Sequence, residues 1–191
     1  MYPDRLRLPL EFDPDRLSQD LRSLEDGGWI PHFVTQNYDG DWSVIPLRGP
    51  KGAAHPVMMI YPAPGVTDFE DTPFLERTPY FREVLGAFEC SVLAARLMRL
   101  APGSVIKEHN DLDLGFESGT ARVHVPVVTN PEVEFLLNGT PVTMTAGSAW
   151  CLRLSDPHSV TNRGCSARVH LVVDLVADAW LGALLDRAQA A

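Results

Sequence analysis

The sequence predicts one mainly β domain, an antiparallel sandwich or jelly-roll barrel flanked by helices. Three observations carry this. From Cys90 onward the chain runs in short segments rich in β-branched and aliphatic residues, with no helical pattern between them. The 14 Gly and 16 Pro are spread along the chain as turn signals, more than a helix bundle would carry. The 191 residues, 45% hydrophobic and 21% charged, fit one globular domain long enough to bury a real core.

Taken in order, Asp13-Pro14 reads as an N-cap followed by proline at the first helical position. Leu17, Leu21 and Leu24 then recur at helical spacing until Gly27-Gly28 ends the segment. From Trp42 to about Pro73 the runs PLRGPKG and YPAPG predict mostly loop, with one or two short strands such as Trp42 to Leu47. A second short helix is expected within Pro79 to Phe88. Then SVLAARLMRL, SVIKEH, ARVHVPVVT, EVEFLL, TPVTMT, SAWCLRL and SARVHLVVDLV make up most of roughly eight short strands separated by turns. Asn138-Gly139 is a two-residue hairpin signal, because both central positions of a type I′ turn need positive φ. Asn162-Arg163-Gly164 makes a similar tight turn. A final helix runs from about Ala177 to Ala190. The expected organisation is therefore a single domain, 1–191: a helical and loop part over 1–89, a β-barrel core over 90–176 and a C-terminal helix over 177–191.

Composition narrows the function. Sixteen Lys+Arg against 25 Asp+Glu give a net charge of −9, which argues against nucleic acid and anionic membrane as partners. Only Lys51 and Lys107 are lysines, so almost every fixed positive charge is a guanidinium fork suited to two-point carboxylate contact. Cys90, Cys151 and Cys165 form no CxxC pair, and neither a signal-peptide apolar region nor a membrane-length apolar run is present. A cytoplasmic protein is expected, with a small-molecule partner and a homodimer left open.

Two of the six histidines have informative neighbours. His109-Asn110-Asp111 is an H-x-D triplet at the end of a strand, where residues i and i+2 of an extended backbone share a face. His158 follows in DPHSVTN. Two neutral imidazoles and one carboxylate on one face of an octahedral metal leave three positions free, the arrangement of non-haem Fe(II) oxygenases. Arg168 lies ten residues after His158, across the Asn162–Gly164 turn, so a hairpin would put both on adjacent strands facing one interior. A buried guanidinium needs an anion. That anion is either an acidic side chain or a dicarboxylate cosubstrate. Arg122 and His124 share a face on another strand, as do Arg168 and His170.

These segments together, RLMRLAPGSVIKEHNDLDL, RVHVPVVTNP, GSAWCLRLSDPHSVTNRG and ARVHLVVD, resemble the aspartyl/asparaginyl β-hydroxylase family of Fe(II)- and 2-oxoglutarate-dependent oxygenases, including bacterial proline hydroxylase-like members. The resemblance implies a double-stranded β-helix of cupin-like form, with Fe(II) held by His109, Asp111 and His158. It implies that Arg168 binds the distal carboxylate of 2-oxoglutarate, with Arg122 and His124 near its metal-chelating end. A hydroxyl of the family pattern is Met98 here. The implied reaction consumes O2 and 2-oxoglutarate, releases succinate and CO2, and hydroxylates an unactivated C–H bond of an amino-acid side chain. Positioning that bond would be the protein's main contribution.

Candidate substrate contacts are Trp42, Arg48, Asp113, Glu117 and Arg153. Arg48 suits a substrate carboxylate, and Asp113 or Glu117 an α-amino group; each is equally readable as a solvated surface group. A free amino acid or small derivative is the favoured substrate, with an aspartyl or asparaginyl residue of a peptide or protein as the alternative. A non-catalytic cupin-like metal-binding or sensing module would have no use for Arg168. A metal-dependent isomerase or thiol dioxygenase on the same fold would prefer three or four histidines to Asp111.

Overall fold

The computed structural model describes residues 1–60, 66–112 and 114–190. Its elements in chain order are β1 (Arg5–Glu11), α1 (Pro14–Arg22), β2 (Ile30–Pro31), β3 (Tyr38–Asp39), β4 (Trp42–Pro50), α2 (Pro56–Ile60), β5 (Phe69–Asp71), α3 (Pro73–Glu76), α4 (Pro79–Gly86), β6 (Val92–Leu100), β7 (Val105–His109), β8 (Thr120–Val128), β9 (Val133–Leu137), β10 (Thr140–Pro141), β11 (Ser148–Leu152), β12 (His158–Asn162), β13 (Arg168–Val176) and α5 (Ala179–Ala190).

The strands form two antiparallel sheets. The large one has the order β1-β11-β8-β13-β6-β4-β2, with β5 added on β4; the small one has the order β10-β9-β12-β7-β3. From β6 to β13 the chain passes back and forth between them, which is the double-stranded β-helix. The large sheet is covered on both faces. Its outer face carries Leu6, Leu8, Val123, Val125, Leu171 and Val173 in one core with Leu17 and Leu21 of α1, Phe81 and Val84 of α4, and Leu181 and Leu184 of α5. Its inner face, with Val44, Leu100 and Val172, meets Ile106, Phe135, Leu137 and Val160 of the small sheet. β13 is central and lacks the in/out polar alternation of a half-exposed strand; residues 168–175 are all buried.

Local signals act where the sequence places them. Asp13 caps α1, accepting hydrogen bonds from the amides of Asp15 and Arg16. Asp20, buried on α1, reaches across to accept the amides of Tyr80 (2.7 Å) and Phe81 (2.9 Å) at the start of α4. Asn138 and Gly139 have φ values of 51° and 67° and close the β9–β10 hairpin, with Leu137 opposite Thr140. No described helix is long and apolar enough to cross a membrane.

Two expectations are corrected. The segment 1–89 holds more strand than the expected Trp42 to Leu47 run: that run is β4 (Trp42–Pro50), and β1, β2 and β5 join it in the large sheet, which therefore extends beyond 90–176. β1 tolerates Pro9 because it is an edge strand, where a missing ladder donor costs little. The second correction concerns β12 and β13. They are not a hairpin: β12 pairs with β7 and β9, and β13 with β6 and β8. The Asn162–Gly164 turn instead carries the chain from one sheet to the other. Asn162 holds this crossover by donating to the carbonyls of Leu100 (3.1 Å) and Ser166 (2.9 Å).

Candidate active site

A cavity of about 660 Å³ opens between the sheets. His109, Asp111, His158, Arg122, His124, Arg168 and Trp42 all line it. His158 and Arg168 thus share an interior as expected, but from opposite sheets.

His109 and His158 are cross-strand partners on β7 and β12, with ring centroids 4.3 Å apart. Asp111 follows the end of β7, its amide donating to the Leu154 carbonyl at 2.8 Å. One ligand atom from each of the three lies within 4.8 Å of the other two. The tautomers are set by the backbone. His109 Nδ1 lies 2.7 Å from the Lys107 carbonyl oxygen and His158 Nδ1 lies 3.0 Å from that of Asp156. A carbonyl only accepts, so each Nδ1 carries a proton, and in the neutral ring this leaves the Nε2 lone pair for the metal, as ligation by imidazole requires. Burial pushes His158 below the usual imidazole range, which also favours the neutral ligand form. The donor set therefore fits a divalent ion such as Fe(II).

Arg168 is 2% exposed. It donates from Nη2 to His170 Nδ1 at 2.8 Å, while its Nε is buried with no partner. Burial alone lowers its pKa to about 9. This is the condition of a guanidinium awaiting an anion. His124 adjoins it, with Nδ1 3.3 Å from His170 Nδ1 and Nε2 buried and unpartnered. Met98 lies opposite His170 in the β6–β13 ladder and lines the cavity, so no hydroxyl stands there.

Arg122 is more heavily engaged than the sequence suggests. Its Nε and Nη2 form a fork on Asp174, at 2.6 and 3.0 Å, and its Nη1 donates to Asp111 Oδ2 at 2.6 Å. Asp174 also accepts from Arg96 Nη2 at 2.9 Å, leaving Arg96 Nε and Nη1 buried without partners.

Trp42 stacks on His32 with centroids 3.6 Å apart, and Phe33 stacks on the same imidazole at 5.0 Å. These rings form one wall of the cavity. Arg48, Glu117 and Arg153 do not line it. A bulge in β4 between Pro46 and Arg48 pairs Arg48 with Ala95 rather than Ala94, which turns its side chain onto the outer face. There it binds Asp71 at 2.6 Å. Arg153 is held by Asp156 and the Tyr2 carbonyl, and Glu117 accepts the Tyr2 amide. Asp113 lies outside the described residues. Arg96, Asp174 and His32 are the lining or supporting residues that sequence reasoning missed. The i+2 phasing of Arg168, His170, Val172 and Asp174 on β13, and of Arg96 with Met98 on β6, is the signal that could have found most of them.

Fold and site together define a double-stranded β-helix whose cavity brings a two-histidine, one-carboxylate donor set together with a buried arginine. The family model for aspartyl/asparaginyl β-hydroxylase matches residues 11–178, and the chain belongs to that family. It is 27% identical over 177 residues to L-proline cis-4-hydroxylase of Rhizobium meliloti (strain 1021), covering 90% of this chain and 60% of that protein. It is 26% identical over 172 residues to L-proline cis-3-hydroxylase 1 of a Streptomyces species, covering 88% and 59%. The chain thus spans about 60% of the length of these relatives. Among solved structures, a 2OG-Fe(II) oxygenase family oxidoreductase from Burkholderia pseudomallei superposes with a TM-score of 0.59 at 16% identity, over 92% of this chain and 86% of that one. A Pseudomonas putida prolyl-4-hydroxylase gives 0.55 at 11% identity, over 92% and 93%. These likenesses establish the fold.

Proposed function

We propose that the protein is an Fe(II)- and 2-oxoglutarate-dependent dioxygenase that hydroxylates an unactivated C–H bond of a free amino acid, with L-proline or a similar apolar amino acid as substrate. The observation that carries this is the cavity in which a His-Asp-His donor set occurs together with the buried Arg168, whose Nε has no partner. His109, Asp111 and His158 would hold the iron, and Arg168 the distal carboxylate of 2-oxoglutarate, with Arg122 and His124 toward its other end. Iron bound there supplies, with 2-oxoglutarate and O2, the oxidising chemistry that places one oxygen atom on the substrate carbon and yields succinate and CO2. The protein's own work is to hold the substrate, fix its orientation and keep water out.

Arg96 supports a free carboxylate on the substrate. Three guanidiniums (Arg96, Arg122, Arg168) and two carboxylates (Asp111, Asp174) border the cavity among the described residues. A divalent ion and a doubly charged cosubstrate offset each other, so one positive charge stays unmatched, beside a guanidinium with two partnerless nitrogens. An internal residue of a polypeptide has no α-carboxylate to offer it, so within a chain only an acidic side chain could match that charge. Val66, Phe69, Leu93 and Ala94 near Arg96 suit an apolar side chain, and the His32–Trp42 wall a flat ring. The names of the two proline hydroxylase relatives point the same way. The free cysteines Cys90, Cys151 and Cys165 support assignment to the cytoplasm.

The test is succinate release with Fe(II), 2-oxoglutarate and a panel of L-amino acids, each paired with its N-acetyl amide, followed by mass analysis. One oxygen should be gained by an apolar free amino acid and by none of the amides. Equal turnover of the amides would contradict a free-carboxylate substrate.

A further inference from the structure

The metal ligand Asp111 does not stand alone. One of its oxygens, Oδ2, is occupied by Arg122 Nη1 at 2.6 Å, while Oδ1 faces His109 Nε2 at 3.7 Å. Arg122 therefore decides which carboxylate oxygen is turned toward the histidines. Its own orientation is set from behind. Asp174 takes Nε and Nη2 in a bidentate fork, which fixes the guanidinium plane as a single contact cannot. Asp174 is in turn fixed by β13: it lies opposite Arg122 in one ladder and Ala94 in the other, and Arg96 occupies its Oδ2. Only 8% of its side chain is exposed.

We infer that Asp174 is a positioning residue for the metal centre, acting through the Arg122 fork to present one oxygen of Asp111 to the ion. The inference rests on the metal-site reading above and adds a role that the ligands themselves do not require. Burial alone would raise the Asp174 pKa; the Arg122 and Arg96 guanidiniums reverse this and hold it well below the ordinary carboxylate range, so the fork is charged on both sides at neutral pH. Partners of this kind behind a ligand commonly change metal affinity about 10- to 100-fold when removed.

A merely electrostatic or structural role makes different predictions, and two variants separate them. Mn(II) binding to the metal-free protein is read from the EPR signal of the free ion, at a temperature where every variant is folded. Asp174→Asn should weaken binding about 10- to 100-fold. It also removes a negative charge near the ion, so Arg122→Lys is the deciding variant. It keeps every formal charge but has one nitrogen in place of three, so it cannot present a planar fork to Asp174 and reach Asp111 from the opposite edge. A loss of about 10-fold or more in Arg122→Lys supports the fork; wild-type affinity there overturns it, whatever Asp174→Asn does. Asp20→Asn, which removes a buried carboxylate far from the cavity, controls for lost stability and should bind as wild type. An equal loss in that variant would assign the effect to the fold and overturn the inference. If wild type binds no Mn(II), the metal-site reading fails and the positioning role with it; wild-type binding abolished by Asp111→Ala upholds that reading independently of Asp174.

Discussion

Arg168 sets function against stability at a single residue. Its charge is desolvated and, among the described residues, no carboxylate pairs with it and its Nε has no partner. Arg168→Met should therefore stabilise the ligand-free protein, by about 1–4 kcal/mol, while abolishing 2-oxoglutarate binding. Urea unfolding and a calorimetric titration with 2-oxoglutarate check the two halves. His32 is the counterpart for pH. Burial lowers it to about 4, against 6.5 in an unfolded chain, so the unfolded state takes up the proton first. The stability it contributes is complete above about pH 6.5 and is lost as the pH falls toward 4. Burial lowers His124, His158 and His170 in the same direction. Urea unfolding should show wild type losing roughly 2 kcal/mol or more between pH 7 and pH 5, and His32→Phe losing less. That His109, Asp111, His158 and Arg168 meet in one cavity was legible in the sequence because a candidate metal or anion site needs particular residue types at particular spacings. Arg48 and Arg153 were misassigned because an isolated arginine carries no record of its partner. For Arg153 a clue was present, since Asp156 lies three residues on.

Among the elements, most strands from Cys90 onward were legible because turn chemistry bounds them, Asn138-Gly139 most clearly; TPVTMT, however, is a strand only at Thr140–Pro141, and β12 was not among the expected runs. Gly139→Ala forces a side chain into φ +67° and should cost about 1 kcal/mol in urea unfolding without changing metal binding. β1 was missed although Leu6 and Leu8 alternate with Arg5 and Arg7, because Pro9 argues against a strand unless its edge position is known. The β4 bulge was equally invisible. Strict alternation from Trp42 would carry Arg48 to the cavity, and only the pairing with β6 reveals the extra residue that turns it away. Helix–helix contact adds a prediction of its own. Asp20 satisfies two amides at the α4 N-terminus, so Asp20→Ala should cost about 1–3 kcal/mol and leave cosubstrate affinity intact.

For the molecule as a whole, sequence spacing brought His158 and Arg168 to one interior by the wrong route. A ten-residue separation reads as a hairpin, whereas the chain here changes sheets between them, and both residues meet the cavity from opposite walls. Pairing between sheets is a long-range property that no local pattern records. The same topology explains why the chemistry sits where it does. β7 and β12 of the small sheet supply the two imidazoles, β6, β8 and β13 of the large sheet supply the guanidiniums, and the cavity lies between them, where the proposed reaction would place its reactants. Anaerobic addition of Fe(II) and 2-oxoglutarate to the metal-free protein tests this arrangement in one spectrum. A visible metal-to-ligand charge-transfer band is expected in wild type and should be absent from both Asp111→Ala and Arg168→Met at the same concentrations. No band in wild type, or an undiminished band in both variants, would contradict the assignment of this cavity as an iron and 2-oxoglutarate site.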